Sequence, residues 1–162
     1  MTNSNDLRIH VVELLRGGHA HVTFDDAVAD VPPPLRGKRP DSLPYSPWEL
    51  VEHIRIAQRD ILDYSVASDA KSYTALPWPK GYWPQTPAPP DARSWDKSID
   101  AIRADREAME LLVKDPANDL FATLPAATEG QTLLREALLL ADHTSYHVGE
   151  LIAVRRLLNA WR

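Results

Sequence analysis

The sequence predicts an all-α protein, a four-helix bundle with long connecting loops. Four long segments repeat apolar residues at helical spacing, and no segment shows the strict alternation of a half-buried strand. Capping residues stand before three of these segments, and glycine or proline follows several of them. Because amphipathic helices must bury their apolar sides against one another, four of them joined by loops are expected to form a bundle.

The N-terminal part of the chain contains one long helical pattern and one short one. The first helix is predicted over about residues 4–16, where leucine and valine recur at helical spacing, and it stops at Gly17 and Gly18. Thr23 then caps a short helix that reaches about residue 30. We expect this short helix to be an addition to the bundle and not one of its four long helices.

The clearest helix start is the sequence Ser46-Pro47-Trp48-Glu49. Serine at the N-cap accepts a backbone hydrogen bond, and proline suits the first helical position. Glutamate at the third position can close a capping box with the serine. We therefore predict a helix over about residues 47–66.

Two further helices are predicted in the second half of the chain. Ser94 is interpreted as the cap of a helix over about residues 95–114, which Pro116 helps to end. Thr132 is interpreted as the cap of the last helix, over about residues 132–159. The last helix is apolar nearly all round at its beginning, which predicts burial on several sides.

The segment at residues 77–90 is predicted to be a stiff loop. It contains six of the fourteen prolines, interleaved with Trp78, Tyr82 and Trp83. The aromatic rings either pack the loop onto the helices or form a wall or lid of a pocket. The sequence leaves both interpretations open.

Length and composition indicate one ordinary globular domain spanning residues 1–162. Apolar residues make up 44% and charged residues 25% of the chain, and no segment is long and apolar enough for a membrane span. The first residues lack the basic and apolar regions of a secretory signal, so we expect a cytoplasmic protein. The net charge of −5 and the lack of a basic cluster beyond Arg155-Arg156 argue against nucleic-acid binding.

Histidines on two predicted helices are the candidate metal ligands. His143 and His147 are four residues apart and so share one face of the last helix. If the helix at 47–66 is its neighbour in the bundle, His53 faces this pair across the interior. There is no cysteine, so a metal must be held by imidazole, carboxylate or water. Zinc, nickel, iron(II) and manganese all accept such a divalent site.

Other residues are kept as candidates around this site. His10, His19 and His21 are rival ligands, although the glycine-bounded position of His19 and His21 favours exposure to solvent. Four acidic residues could accept the second ring N–H of a histidine or transfer protons. These residues are Glu49, Asp60, Asp142 and Glu150.

These residues resemble those of the DinB-like (DinB/YfiT) superfamily. The resemblance is carried by Ser46-Pro47-Trp48-Glu49 through His53 and by Asp142-His143 through His147 and Glu150. Members are four-helix bundles in which one histidine of the second long helix and a His-x-x-x-His pair of the last helix bind a divalent metal. The resemblance implies His53, His143 and His147 as the ligands here.

The resemblance also implies a choice of reactions. Similar proteins include thiol-dependent S-transferases, a thiol-dependent isomerase and metal-dependent hydrolases. We therefore expect a hydrolase or a thiol-dependent S-transferase with a small-molecule substrate, the thiol coming from a low-molecular-weight cosubstrate. The alternative is a non-catalytic, dimeric bundle protein that binds metal or is associated with stress. Family members commonly form homodimers, and the apolar residues near Leu157, Leu158 and Trp161 could serve a dimer or cover the end of the bundle.

Overall fold

The chain folds into a bundle of four long helices with one short helix on its side. The computed structural model describes residues 2–161, with side chains from Asn5 onward. No strand occurs within this described range, where β-type pairing is limited to one isolated bridge between Thr123 and Thr132. The helices are α1 (Thr2–Arg16), α2 (Phe24–Val28), α3 (Pro47–Val66), α4 (Ser94–Lys114) and α5 (Leu133–Leu157), with 3-10 turns at Pro33–Leu35 and Lys80–Tyr82. The predicted all-α bundle is confirmed.

The starts of α2, α3 and α5 are capped by the residues that the sequence indicates. The hydroxyl of Ser46 accepts a hydrogen bond from the Glu49 amide at 3.1 Å, and the Glu49 carboxylate accepts one from the Ser46 amide at 2.9 Å. Thr23 forms an equivalent capping box, and Thr132 accepts from the Arg135 amide at 3.2 Å. These caps satisfy amides that have no partner within their helices.

The start of α4 differs from the prediction by one residue. Ser94 is the first helical residue and Arg93 occupies the cap, where its side chain makes no capping hydrogen bond. The carboxylate of Asp91 instead accepts a hydrogen bond from the Arg93 amide at 2.7 Å. The Ser94 amide also donates to the Asp91 carbonyl at 3.3 Å, so Asp91 forms a turn that begins the helix one residue earlier than predicted.

The bundle is held by two apolar clusters, and α3 packs between α4 and α5. Helix α1 covers the other side of α4 and α5, and α2 packs against α5. One cluster joins α2 to the first half of α3, the first half of α4 and the second half of α5. The other joins α1 to the remaining halves of those three helices. Because α3 and α5 are direct neighbours, side chains on their facing sides can meet inside the bundle.

The C-terminal end of the chain covers part of the bundle. Leu158 packs partly buried against the first cluster, and the Arg155 guanidinium lies 4.7 Å from the centre of the Trp161 ring. Leu157, in contrast, is 49% exposed. Within the described residues, no helix is both long and apolar enough to cross a membrane.

The long connection between α3 and α4 folds back against the bundle. Its turn around Gly81 is tight, since the Gly81 amide donates to the Pro77 carbonyl at 2.6 Å. A Cβ atom on Gly81 would lie 2.9 Å from Cβ of Leu76, so a glycine is needed there. The turn brings Tyr82 and Trp83 to the side of α3.

Candidate metal centre

Three histidines meet where α3 faces α5. His53 and His147 are buried, at 5% and 7% exposure, and His143 is half-buried. Nε2 of His53 lies 3.1 Å from Nε2 of His143, and one nitrogen from each of the three rings lies within 4.8 Å of the others. Among the residues described, these three side chains form a group whose possible ligand atoms are close enough together to hold a metal ion.

The ring of His53 is held by the loop that follows α3. Its Nδ1 lies 2.7 Å from the carbonyl oxygen of Tyr82. Since a carbonyl only accepts, Nδ1 carries the proton and Nε2 keeps its lone pair. Trp83 stacks flat on the same imidazole, with ring centres 4.0 Å apart, and Tyr45 stacks on the far side of Trp83 at 4.4 Å. The loop therefore sets both the plane and the tautomer of His53.

The ring of His147 is held within α5 itself. Nδ1 of His147 lies 2.7 Å from Oε2 of Glu150, one helical turn further along. A carboxylate that accepts the Nδ1 proton leaves Nε2 as the electron-pair donor, as is usual for metal-binding histidines. The exposed ring of Tyr146 meets His147 edge-on at 4.9 Å.

The spacing of the donor atoms suits a divalent cation. Zinc binds imidazole nitrogen at about 2.0–2.1 Å, which places tetrahedral ligand atoms about 3.3 Å apart. The 3.1 Å between the Nε2 atoms of His53 and His143 is close to that value. Two of the three rings also have the second nitrogen engaged by an acceptor, which fixes the ring for coordination. The three histidines could therefore hold a metal ion.

The surroundings keep the histidines uncharged. Burial lowers the pKa of His143 and of His147 to about 4, and the neighbouring imidazoles contribute to the lowering. Burial also lowers the pKa of His53, although the Tyr82 carbonyl opposes the shift. Neutral imidazole is the form that binds metal, so the rings are in the binding form near pH 7.

Glu150 is the predicted acidic residue that contacts a histidine ring. Burial raises the pKa of Glu150, although the Tyr146 hydroxyl opposes this shift. The negative charge of Glu150 in turn raises the pKa of Tyr146. A carboxyl with a raised pKa, one hydrogen bond away from a candidate ligand imidazole, is suited to accepting and returning a proton.

The other predicted acidic residues are engaged elsewhere. Both oxygens of Glu49 bind Arg39, and one of them also accepts from the Ser46 amide. Burial alone would raise the pKa of Glu49, but Arg39 and the Ser46 amide outweigh it and lower the pKa, so this carboxylate is a structural anion. Asp142 is exposed, and its charge acts on His143 only by raising the pKa of that ring.

Asp60 contacts two tyrosines instead of a histidine. It accepts hydrogen bonds from the hydroxyls of Tyr73 and Tyr82. Burial and the charge of Asp60 raise the pKa of Tyr82 to about 12, and they raise that of Tyr73 as well. Both hydroxyls therefore stay protonated and donate to Asp60 at neutral pH.

The rival histidines lie apart from the centre. His10, His19 and His21 are all exposed. Nδ1 of His10 lies 3.2 Å from Glu13, and Nδ1 of His21 lies 2.8 Å from the carbonyl oxygen of Val22. The exposure expected from the glycine-bounded position of His19 and His21 is confirmed.

Sequence reasoning did not identify the loop residues that orient His53. Tyr82 contributes a backbone carbonyl, which no side-chain motif reveals, and the stack of Tyr45 on Trp83 joins residues far apart in the chain. The only available signal was the concentration of tryptophan and tyrosine within the proline-rich loop. Of the two interpretations of that loop, Trp83 supports a wall of the site, while Trp78 remains 80% exposed.

The fold and the site define a class of helical bundle in which three histidines on two neighbouring helices could hold a metal ion. A sequence profile described as the DinB superfamily matches residues 19–151, which include all three histidines. The chain belongs to the DinB superfamily. No curated protein and no solved structure gives a match.

Proposed function

We propose that this protein is a metal-dependent enzyme that acts on a small molecule. The observation that carries the proposal is the convergence of His53, His143 and His147, with one nitrogen of each within 4.8 Å of the others. Three protein ligands leave room for water or substrate, as in catalytic metal sites, whereas structural sites are closed by four. Membership of the DinB superfamily agrees with such a site.

A divalent cation in this centre would act as a Lewis acid that lowers the pKa of a water molecule or a thiol. The chain supplies the rest of the chemistry. His53 and His147 are held with Nε2 as electron-pair donor by the Tyr82 carbonyl and by Glu150. Glu150, with its raised pKa, is placed to take up a proton during the reaction and to return it.

Two reactions fit this arrangement, namely hydrolysis and transfer of a thiol to an electrophilic substrate. The chain has no cysteine, so a reacting thiol must come from a low-molecular-weight cosubstrate. The buried imidazoles and the stacked Trp83 make the centre partly apolar, which favours a compact substrate over a polymer. We propose a small molecule as the substrate for both reactions.

Metal analysis of the purified protein tests the centre itself. We expect one divalent ion per chain, and its loss from His53→Ala, His143→Ala and His147→Ala. The matched control is His19→Ala, which removes an exposed histidine outside the centre and should keep the metal. Retention of stoichiometric metal in any of the three variants would exclude that histidine as a ligand.

Activity of the metal-loaded protein separates the reactions. The panel combines low-molecular-weight thiols with electrophiles, and includes ester and amide substrates without thiol. Consumption of thiol without hydrolysis would exclude the hydrolase, and hydrolysis without thiol would exclude the transferase. A protein that keeps its metal, melts at a higher temperature with it and shows neither reaction would instead be a non-catalytic metal-binding bundle.

A further inference from the structure

Asp60 accepts hydrogen bonds from two tyrosine hydroxyls of the loop after α3. The Tyr82 hydroxyl donates to Oδ2 of Asp60 at 2.7 Å. The Tyr73 hydroxyl lies 3.0 Å and 3.1 Å from the two carboxylate oxygens. Hydrogen bonds to an ionised carboxylate are among the stronger ones in proteins, so this contact ties the loop to α3.

Tyr82 bridges from Asp60 to the metal centre. Its hydroxyl is bound to Asp60, while its backbone carbonyl accepts the Nδ1 proton of His53 at 2.7 Å. Asp60 lies seven residues after His53 on α3, about two turns along the same face. One tyrosine therefore spans the distance between the two residues, with its ring end on Asp60 and its backbone on the imidazole.

We propose that Asp60 is a positioning residue for the metal centre, acting through Tyr82 to hold His53 in the tautomer that presents Nε2. The inference rests on the proposed metal site. Trp83 sets the plane of the His53 ring by stacking, but stacking does not decide which ring nitrogen carries the proton, and a half-turn about Cβ–Cγ would restore the same plane with the nitrogens exchanged. The Tyr82 carbonyl prevents this exchange, and Asp60 keeps the carbonyl in place.

The loop has other attachments, which limit the expected effect of losing this one. The Ser46 hydroxyl donates to the Pro87 carbonyl, and Tyr45 stacks on Trp83. Loss of the Asp60 contact should therefore release Tyr82 without detaching the whole loop. Substitution of a residue that orients a metal ligand typically lowers metal affinity by about 10- to 100-fold. We expect the lower end of that range.

Tyr82→Phe and Asp60→Asn test the inference. Tyr82→Phe removes one oxygen atom and keeps the ring and the backbone carbonyl. We expect zinc affinity, measured by competition with a chromophoric chelator, to fall by about 10-fold in each variant. Because the two residues act through one contact, the double variant should bind zinc no more weakly than Asp60→Asn alone. Tyr73→Phe should have a smaller effect and serves as the second variant if Tyr82→Phe does not fold.

Two neighbouring substitutions are the controls. Asp63→Asn changes an exposed carboxylate on the same helix that pairs with Arg59. Tyr64→Phe removes a hydroxyl from a ring that packs edge-on against Tyr73 at 5.0 Å. Both should leave zinc affinity unchanged, since neither side chain bonds to Tyr82.

The tautomer of His53 gives a readout that does not need metal. In the metal-free protein, long-range 1H–15N NMR spectra should show His53 protonated at Nδ1, and Asp60→Asn and Tyr82→Phe should show a mixture of tautomers. An unchanged tautomer in both variants, or an equal loss of affinity in the two controls, would overturn the inference. If the parent protein binds no zinc, the proposed function fails, and the tautomer measurement still decides the role of Asp60.

Discussion

His147 and His10 make the same kind of contact, yet only His147 belongs to the cluster of three histidines that could hold a metal. Each has its Nδ1 beside a glutamate three residues later, at 2.7 Å for Glu150 and 3.2 Å for Glu13. His10 is exposed, whereas His147 is buried beside two other imidazoles. A glutamate beside Nδ1 supports metal binding only where Nε2 of the same ring lies close to the nitrogen atoms of other histidines.

Glu150→Gln should weaken metal binding. The amide oxygen can still accept the Nδ1 proton of His147, but the negative charge that makes the imidazole a stronger donor is lost. We expect zinc affinity to fall by about 10-fold, as measured by chelator competition.

Glu13→Gln is the matched control, because it makes the same change beside a histidine outside the centre. Its zinc affinity should equal that of the parent protein. Unchanged affinity in Glu150→Gln would show that Glu150 does not support the ligand.

Among the contacts between helices, the buried carboxylate of Glu110 links α1 to α4. The Arg16 guanidinium of α1 binds both of its oxygens, at 2.7–3.1 Å, and Lys114 lies 2.9 Å from one of them. Burial alone would raise the pKa of Glu110, but the two cations outweigh it and lower the pKa below its ordinary value. The folded state therefore holds the ionised form more firmly than the unfolded chain does.

Glu110→Gln should lower the free energy of unfolding at pH 7 by about 1–2 kcal/mol, since hydrogen bonds to a charged group are lost. Arg16 is 57% exposed, which keeps the effect modest. Because the pKa of Glu110 is lower in the folded state than in the unfolded chain, its ionisation stabilises the protein at a pH above the unfolded pKa. This stabilisation is lost as the pH falls through the pKa of the folded state. Urea unfolding should therefore show a difference at pH 7 that diminishes below the ordinary pKa of 4.5.

The control for Glu110→Gln is Glu107→Gln, on the exposed face of the same helix. It should change the urea midpoint little at either pH. A difference between the parent protein and Glu110→Gln that stays constant down to acid pH would contradict the assigned role of the ionised carboxylate.

At the scale of the whole molecule, the centre joins parts that are distant in the chain. Two of the histidines come from α5 and one from α3, and the loop between α3 and α4 supports the third. These parts meet in this way only in the folded protein. A cation that binds all three histidines therefore binds the folded state in preference to the unfolded one.

Added zinc should raise the melting temperature of the metal-free protein. A ligand at 100 times its dissociation constant stabilises the folded state by about 2.7 kcal/mol. For a chain of this size the corresponding rise is about 5–10 °C. Differential scanning fluorimetry with zinc, followed by a chelator, should show the rise and its reversal.

His53→Ala should lose most of this rise, whereas His21→Ala should keep it because His21 is exposed. An equal rise in His53→Ala would place the stabilising zinc at another site. No rise in the parent protein would contradict a site formed by the fold.

Local signals in the sequence predicted most of the fold. Ser46-Pro47-Trp48-Glu49 predicted the start of α3, and Thr132 predicted the start of α5, because a cap and its helix are neighbours in the chain. The start of α4 was missed by one residue, because the turn that Asp91 forms with the Arg93 and Ser94 amides begins the helix before the expected serine cap. The proximity of the three histidines also agrees with the prediction, since α3 and α5 are neighbours in the bundle.

The partners of the acidic residues could not be predicted in the same way. Three of these residues, Glu49, Asp60 and Glu150, lie on the helices that carry the histidines. The sequence therefore offered no reason to prefer one of them as a partner of a histidine. The tertiary structure separates them. Glu49 binds Arg39 and the cap of its own helix. Asp60 accepts hydrogen bonds from two tyrosines of the loop. Glu150 contacts His147 because the two lie one turn apart on one helix. Of the three acidic residues, it is the one whose partner could be predicted from spacing along the chain.

Residues close together in the chain were enough to predict the helices, most of their caps and the pair of His143 and His147 on one helical face. The way in which His53 is held depends on the tertiary structure. Its orientation depends on a backbone carbonyl and a stacked indole from a loop about thirty residues away. Neither contact has a local pattern, since a carbonyl is present at every residue and a loop's path is set by where it packs.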